Sequence, residues 1–553
     1  MKQIFTYLII FMFSVSLSQA QRYETEIFTD VDITTDVVYG VNATVLAFSI
    51  FGEAIPQALK MDIYEPAGDT QAERPLMLVF HTGNFLPNVT NGQVAGTKTD
   101  SSVVEICTQL AKRGFVAASV DYRLGWNPLA ETQPERALGL IQAAYRGLQD
   151  GRTAVRFFKK TVAEDANLYG IDETKIACWG VGTGGYLVLG VNGLSFYNEI
   201  PLSSNPVGKF LLDVNPPDGV PETPMVVPAY HGDIEGKVLT IAPDAAFGLP
   251  AGDTTNYPNH VNYSSDFHLT IQVGGALGDI SWLDDQTVPI ISVQSIADQF
   301  APYDDAILIV PTTGDPIVQV QGLKQIGAHQ EGSGMNQAWK DLNFNDAVTQ
   351  SAQANAALWV NPTDSTEIGH PYYEGGFSWK SPNNSLGEDE GVVINWWDPN
   401  ALSPPILPDF PNGVPWNLLP YPAGGTFHTN GLLLNEGMSA EKARANIAEI
   451  MAYVIPRALV TLDLVVSADE IILSPNLVTV APNPAIGYVT VTSVENEPIQ
   501  EIEIYNINGQ LLSVDRNINS TQSTFNLNNR VPGMYILKIY MENGFITKKL
   551  MVE

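Results

Sequence analysis

Strands and helices alternate along the first part of the chain, and this alternation restricts its possible folds more than any other feature. The run "PLMLVFHTGNF" (residues 75–85) is continuously apolar until a polar, glycine-containing loop, which is typical of a strand buried on both faces. A helical segment at 103–112, the strand "GFVAASVDYRL" (114–124) and a helix with Leu148 and Val155 on one face follow. This order predicts an α/β fold with a doubly wound, mostly parallel sheet.

Several short motifs occur in a fixed order within this pattern. They are His81-Thr82-Gly83-Asn84-Phe85, Asp121-Tyr122-Arg123-Leu124, Gln149-Asp150 with Arg156, Tyr169-Gly170-Ile171-Asp172 and Gly180-x-x-x-Gly184-Gly185. In this order the chain resembles the carboxylesterase and lipase branch of the α/β-hydrolases, from about residue 55 to 200 and again near 268–310 and 425–460. The resemblance implies an α/β-hydrolase sheet and, along the chain, a nucleophile, an acid and then a histidine.

The stretch "WGVGTGGYLVLG" (179–190) departs from that family at one position. Aligning its glycines on the pattern G-x-S-x-G places Gly182 where the resemblance expects the nucleophilic serine. Glycine suits this strained turn because it has no Cβ, so the turn can form without an attacking oxygen. Thr183 is not expected to replace the serine, because its position supplies a backbone N–H to the oxyanion hole while its side chain points elsewhere. Ordinary serine-esterase activity is therefore not predicted.

The remaining parts of the site follow from the same resemblance. The segment "VPIISVQSIADQFAPYDD" places the acid at Asp298, although Gln294-Ser295 replaces a usual His-Gly pair. The base is assigned to His428, in a glycine-flanked loop before the last helix, with His370 and His329 as alternatives. Ser439 is the expected N-cap of that last helix. The backbone N–H groups of the oxyanion hole fall to Gly83, Asn84 and Thr183, which are predicted to face developing negative charge.

The N-terminus has the pattern of an export signal. Lys2 precedes an apolar run and the small-residue close Ser18-Gln19-Ala20, so residues 1–20 are expected to be a cleaved signal peptide. An uncleaved anchor is the alternative, but the apolar run is short for a membrane span. No other segment is long and apolar enough to be a transmembrane segment. The sequence therefore predicts an exported protein.

Charge and cysteine content restrict the classes of partner, metal and cofactor that the protein is expected to bind. The 553 residues include 60 acidic and 28 basic ones, a net charge of −32, which disfavours nucleic acid and anionic membranes. Cys107 and Cys178 lie in apolar surroundings and are expected to be buried free thiols, with a single disulfide as the alternative. Their spacing matches no zinc or redox motif, and no EF-hand loop is present, so neither a metal nor a cofactor is predicted.

The C-terminal part has a different pattern from about Val478 onwards. Short alternating strands are separated by Asn-Gly and Pro-Gly turns, which predicts a small antiparallel β-sandwich. The motifs are Pro482-Asn483-Pro484, Tyr505-Asn506 before Gly509-Gln510, Pro532-Gly533-Met534-Tyr535 and Lys548-Lys549-Leu550. They resemble the C-terminal sorting domain of the Bacteroidetes type IX secretion system. The resemblance implies the type IX machinery as a partner and a product that is secreted or attached to the cell surface.

The predicted organisation is a signal peptide (1–20), a hydrolase-like domain (21–464), a linker (465–477) and a sorting domain (478–553). Residues 200–267 and 312–424 exceed ordinary connections, so they are expected to form a cap over the carboxyl edge of the sheet. The second segment holds six of the nine tryptophans, which either form the core of the cap or stack on sugars or aromatic esters. The six are Trp339, Trp359, Trp379, Trp396, Trp397 and Trp416.

Three functional hypotheses follow from these residues. The first is a secreted carboxylesterase-like hydrolase that acts through an unrecognised nucleophile on a small ester. The second is a non-catalytic descendant that binds a ligand or a polysaccharide in the former cleft. The third is a serine-independent enzyme in which His428 and Asp298 activate water or a substrate proton. The sequence leaves the natural ligand and the oligomeric state open.

Overall fold

A computed structural model describes residues 22–553, except 47, 214–219, 299, 311, 386, 388, 405–411, 465–476, 495–496, 507–510, 528–529 and 542–543. The predicted signal peptide lies outside the described residues. The chain divides into two compact units, Met1–Leu464 and Val465–Glu553. The sequence-based boundaries of signal peptide, linker and caps stay predictions.

The first unit is built on one eight-stranded sheet. Its strands, numbered β1 to β8, are Val31–Thr44, Ile55–Pro66, Arg74–Phe80, Val116–Val120, Ile171–Val181, Leu269–Val273, Ile290–Ser295 and Gly376–Trp379. Their order across the sheet is β1-β2-β4-β3-β5-β6-β7-β8. β1 and β2 are antiparallel, β2 is antiparallel to β4, and all pairs from β4 to β8 are parallel. This order confirms the predicted doubly wound, mostly parallel sheet.

Helices cover both faces of this sheet. The longer ones, numbered α1 to α8, are Ser101–Lys112, Gln133–Glu164, Thr183–Gly193, Leu323–Ser333, Gln337–Leu342, Ala347–Ala356, Phe427–Gly431 and Ala440–Thr461. One core contains Leu148, Val155 and Phe158 of α2 with side chains from one face of the sheet. The other contains Cys107 of α1 and Ile447 of α8 with side chains from the opposite face. The central strands are buried on both sides, as their continuous apolar runs predict.

Two sequence predictions about this unit have clear outcomes. Ser439 begins α8, and its hydroxyl accepts the backbone N–H of Lys442 at 3.1 Å, as expected of an N-cap. Cys107 and Cys178 are both buried free thiols, so the disulfide alternative is excluded.

The two long segments that were predicted to form a cap differ from each other. Residues 200–267 hold the short helix Pro228–His231 and four short strands, Leu211–Leu212, Thr223–Pro224, Thr240–Ile241 and Thr254–Asn256. Residues 312–424 include β8, the edge strand of the main sheet, as well as α4 to α6. An antiparallel hairpin of the strands Asp305–Ile309 and Pro316–Gln321 precedes α4. A cap therefore does not account for all of 312–424, because part of it completes the sheet.

The second unit is a two-sheet antiparallel sandwich. Its strands, numbered β9 to β15, are Val478–Ala481, Tyr488–Ser493, Ile499–Asn506, Leu511–Ser520, Gln522–Asn526, Gly533–Met541 and Gly544–Val552. One sheet has the order β9-β10-β13 and the other β12-β11-β14-β15. Ile502 and Ile504 pair with Ile539 and Leu537 across β11 and β14, and all four are buried. The alternating pattern of the sequence is thus confirmed.

Candidate functional site

The turn after the central strand β5 has the backbone of a nucleophile turn, with glycine at its tip. Gly182 follows β5 and precedes α3, at φ 53° and ψ −116°. Its N–H donates to the carbonyl of Val273 on β6 at 2.7 Å, and its carbonyl accepts the N–H of Gly185 at 2.8 Å. Because this positive φ is costly for residues with a Cβ, glycine lowers the strain of the turn. The fold presents position 182 at the carboxyl edge of the sheet.

The side chain of Thr82 occupies the space that a residue at 182 would need. A Cβ placed on Gly182 would lie 2.9 Å from Thr82 Cβ and still closer to Thr82 Oγ1. Rotation of the Thr82 side chain could move Oγ1, but it would leave Thr82 Cβ in place. A serine at 182 is therefore excluded unless Thr82 or its backbone moves. Sequence reasoning found the altered loop at His81-Thr82-Gly83 but missed its contact with Gly182, because the two positions are 100 residues apart.

Two of the three predicted oxyanion-hole N–H groups are bonded to threonine hydroxyls. The N–H of Asn84 donates to Thr183 Oγ1 at 2.7 Å, and the N–H of Thr183 donates to Thr82 Oγ1 at 3.4 Å. Gly83 lies beside Gly96, whose Cα would be 2.9 Å from a Cβ at 83. The structure thus brings Gly83, Asn84 and Thr183 next to the turn. The protein's own hydroxyl oxygens hold the N–H groups of Asn84 and Thr183.

Asp298 lies at the same edge of the sheet, three residues after β7. Its Oδ1 accepts the backbone N–H groups of Phe300 and Ala301, both at 2.8 Å. Its Oδ2 points towards Gly274, which follows β6. Burial raises the pKa of Asp298 to about 6, against the two backbone hydrogen bonds that favour its ionised form. Asp298 thus lies at the carboxyl edge of the sheet, and its role as the catalytic acid stays a prediction.

A second carboxylate, Asp389, was missed by sequence reasoning. Its Oδ1 accepts hydrogen bonds from Ser295 Oγ at 3.0 Å, Ser381 Oγ at 2.7 Å and Gly391 N–H at 2.7 Å. The carbonyl of Ser295 also accepts the backbone N–H of Asp298, so Ser295 contacts both acidic residues. The unusual Ser295 is the available sequence signal, whereas Asp389 stands in an acidic run with no motif of its own.

None of the predicted histidines hydrogen-bonds to Asp298. His428 is on α7, and its Nδ1 accepts the indole N–H of Trp397 at 3.2 Å. His370 contacts the hydroxyl of Tyr303 at 2.8 Å, and His329 is a half-buried residue of α4. Within the described part of the chain, no histidine lines the cavity at Gly182 and none hydrogen-bonds to Asp298. The structure brings Gly182, Thr183 and Asp298 together, but not His428.

These residues surround one cavity of about 860 Å³. Thr82, Gly182, Thr183 and Asp298 line it where the strands end. Its inner wall is apolar and comes from α2, α3 and the segments that follow them. That wall includes Leu140, Leu148, Leu187, Phe210, Trp282 and Val318. Its outer wall is mixed, with polar, aromatic and acidic residues from the segments that follow β8. A volume of this size is in the range of small-molecule sites.

The tryptophans of residues 312–424 divide between core and cavity. Trp339, Trp359, Trp379 and Trp416 are buried. Trp339, for example, donates its indole N–H to the carbonyl of Arg457 on α8 at 3.1 Å. Trp397 is half-buried and lines the cavity. Most of these rings therefore form core, and Trp397 is placed to touch a ligand.

The other motif residues support the strand ends rather than line the cavity. The Arg123 side chain and the backbone N–H of Arg123 both donate to the Asp150 carboxylate, at 2.9 and 2.8 Å. Gln149 accepts a further Arg123 hydrogen bond at 2.9 Å, and all three side chains are fully buried. His81 lies against Asp121 at 3.4 Å, and burial lowers its pKa. These contacts fix the loop that carries Thr82.

Comparisons with known proteins agree with this architecture. Residues 61–201 match the family model BD-FAE, and residues 479–553 match the secretion system C-terminal sorting domain. No curated protein matched the chain. The chain thus contains an esterase-like α/β-hydrolase domain and a sorting domain of the type IX secretion system. The sorting domain marks a protein that is secreted or displayed at the cell surface.

Solved structures similar to the chain include esterases. Native esterase 2 from Thermogutta terrifontis is 16% identical over 45% of this chain and 55% of that one, with a TM-score of 0.21. The same enzyme phosphorylated by paraoxon is 17% identical over 44% and 57%, with a TM-score of 0.21. Esterase B from Lactobacillus rhamnosis is 14% identical over 49% and 58%, with a TM-score of 0.19. The chain spans little more than half the length of these proteins.

The described residues contain neither a candidate membrane span nor a cluster of metal-binding side chains. No helix there has the length and hydropathy that a membrane crossing requires. Likewise, no three His, Cys, Asp or Glu side chains in the described ranges converge on a common point that could hold a metal ion.

Proposed function

We propose that this exported α/β-hydrolase-fold protein binds a ligand in its cavity and does not transfer acyl groups through a serine. The observation that carries the proposal is the pair Thr82 and Gly182. Position 182 has no hydroxyl, and Thr82 fills the volume in which a serine side chain would stand. Loss of the nucleophile from such a site costs on the order of a million-fold in turnover.

Two further features support a binding role. The N–H groups of Asn84 and Thr183 are bonded to threonine oxygens, so they have no free hydrogen to offer an oxyanion. In addition, none of the described residues that line the cavity is a histidine, so the usual base has no counterpart there. The large apolar wall remains, and it suits a ligand with a substantial apolar part.

A serine-independent enzyme that uses His428 and Asp298 receives less support. Such a pair requires the imidazole to bond to the carboxylate or to share a water or substrate with it. Asp298 Oδ1 instead accepts backbone N–H groups, and His428 Nδ1 accepts the indole N–H of Trp397. His428 also does not line the cavity. An ester substrate activated by this pair is therefore the second candidate.

A comparison of four proteins tests the proposal. The full chain, Gly182→Ser with Thr82→Gly, His428→Ala and Thr82→Gly alone are assayed with short-chain p-nitrophenyl esters and with a serine-directed organophosphate. We expect all four to remain at background hydrolysis and to acquire no covalent phosphoryl group. Wild-type turnover that the organophosphate abolishes would contradict the proposal. Wild-type turnover that resists it but disappears in His428→Ala would favour the second candidate.

A further inference from the structure

The charged residues of the cavity are all acidic among those described. Asp298, Asp389 and Glu390 line it, and no lysine, arginine or histidine among the described residues does so. Glu390 is neutralised by Lys442, whose Nζ lies 2.8 Å from Glu390 Oε2. Asp298 and Asp389 form no salt bridge with any described residue. The cavity thus has an electrostatic preference for a positive or a neutral ligand over an anion.

The two carboxylates that lack a salt bridge are both held in place by hydrogen bonds to Oδ1. Asp389 uses Oδ1 for three hydrogen bonds, two from serine hydroxyls and one from the N–H of Gly391. Asp298 uses Oδ1 for two backbone N–H groups. Ser295 contacts both residues, so their spacing is fixed. A site with preset geometry binds its partner at a lower entropic cost.

Each carboxylate keeps one oxygen that the described protein does not use. Asp389 Oδ2 is buried and has no hydrogen-bond partner among the described residues. Asp298 Oδ2 receives no hydrogen bond from the described chain and lies near Gly274, which also lines the cavity. Partly buried negative charge without a counter-ion is unfavourable, and it is stabilised when a cation arrives. Asp298 Oδ2 can therefore accept a hydrogen bond from a positively charged donor, and Asp389 adds to the negative charge around it.

Aromatic and apolar side chains line the same cavity as these acids. The aromatic ones include Phe300, Trp397, Tyr421 and Phe427. Aromatic faces attract organic cations, and the attraction grows when the cation is desolvated. The inner wall around Leu148 and Trp282 offers room for an apolar body behind the charged group.

We propose that the cavity binds an organic cation, an apolar molecule bearing a protonated amine, whose ammonium group is bound by Asp298 Oδ2 and attracted by the negative charge of Asp389. The inference rests on the proposed function, because it takes the cavity as a binding site rather than an acyl-transfer site. The same charge pattern disfavours fatty acids and other carboxylates as ligands.

Three probes of the same chain length test the charge preference. n-Octylamine, 1-octanol and sodium octanoate are titrated into the full chain at pH 7.5 by calorimetry, with thermal unfolding as a second readout. We expect octylamine to bind about tenfold or more tightly than octanol, which corresponds to at least about 1.4 kcal/mol, and octanoate to bind most weakly. Calcium chloride, titrated alone, should produce no comparable shift.

Substitutions at the two acids identify the source of the preference. Asp389→Asn and Asp298→Asn should each lower the octylamine affinity about tenfold and leave octanol unchanged. Glu173→Gln is the matched control, because Glu173 is an exposed acid at the start of β5, and it should leave all three affinities unchanged. If one Asn variant fails to fold, as judged by its unfolding midpoint without ligand, the other still tests the proposal.

The outcomes separate this inference from the proposed function. Equal affinity for octylamine and octanol in the wild type would overturn the organic-cation proposal and leave the binding function intact. Stabilisation by calcium that exceeds stabilisation by octylamine would overturn it in favour of a metal site. Binding of none of the probes would also overturn it. Organophosphate-sensitive ester turnover would overturn the proposed function instead.

Discussion

Thr82 and Gly182 share the space of one side chain at the carboxyl edge of the sheet. A Cβ at 182 would lie 2.9 Å from Thr82 Cβ, and the hydroxyl of Thr82 instead accepts the N–H of Thr183 at 3.4 Å. The absence of a side chain at 182 therefore leaves the room that the Thr82 side chain occupies.

This shared space predicts strong coupling in a double-mutant cycle. Gly182→Ser alone should lower the free energy of unfolding by about 2–4 kcal/mol, from overpacking and from the positive φ. Combining it with Thr82→Gly should recover at least about 1 kcal/mol, because the steric part disappears. Urea unfolding of the wild type, Gly182→Ser, Thr82→Gly and the double variant measures the cycle. Additive effects would show that the two side-chain positions do not compete.

The hydrogen bond between Asn84 and Thr183 predicts a second effect on stability. Thr183 Oγ1 accepts the Asn84 N–H at 2.7 Å, and Thr183 is buried. Thr183→Val keeps the shape of the side chain but leaves this N–H unpaired, so it should cost about 1–3 kcal/mol in unfolding free energy. Thr183→Ser retains the oxygen and is the control. Equal losses in both variants would assign the effect to packing instead.

The buried ion pair between Arg123 and Asp150 predicts a third effect on stability. Both side chains are fully buried, so removal of the arginine leaves a desolvated carboxylate. Arg123→Met should therefore lower the unfolding free energy by about 3–5 kcal/mol. Adding Asp150→Asn removes the uncompensated charge and should restore part of that loss. Chemical denaturation followed by tryptophan fluorescence compares the single and the double variant. A double variant less stable than Arg123→Met would contradict this account.

The architecture could be predicted from the sequence because its signals are local. Continuous apolar runs marked β3 and β4, and Ser439 marked the start of α8. Strand β8 was not predicted, because "GFSW" (376–379) is short and lies between loops rather than within a repeating strand–helix pattern. The sequence assigned these residues to a cap, whereas in the structure they form the edge strand of the main sheet.

The site was less predictable, because its decisive contacts join distant parts of the chain. Gly182 stood out within a known motif, whereas the steric role of Thr82 depends on a contact across 100 residues. Asp389 similarly depends on Ser295, which precedes it by 94 residues. His428 was assigned from its order along the chain, and order does not determine whether an imidazole reaches the cavity. Its catalytic role stays a prediction.

The pKa of Asp298 predicts how stability depends on pH. Burial raises that pKa from 3.8 to about 6, so the folded protein favours the protonated carboxyl more than the unfolded chain does. The stabilisation is fully present below pH 3.8 and is lost as the pH rises through 6. Asp298→Asn lacks this titration, and its Oδ1 can still accept the N–H groups of Phe300 and Ala301.

Relative to Asp298→Asn, the wild type should therefore lose about 2–3 kcal/mol of unfolding free energy between pH 4 and pH 7.5. Urea unfolding at intervals of half a pH unit measures both proteins, and Glu173→Gln controls for the loss of one acidic side chain. A difference between wild type and Asp298→Asn that stays constant with pH would contradict the raised pKa. Octylamine at saturation should reduce the pH-dependent loss, because an ammonium group beside Asp298 stabilises the ionised carboxylate.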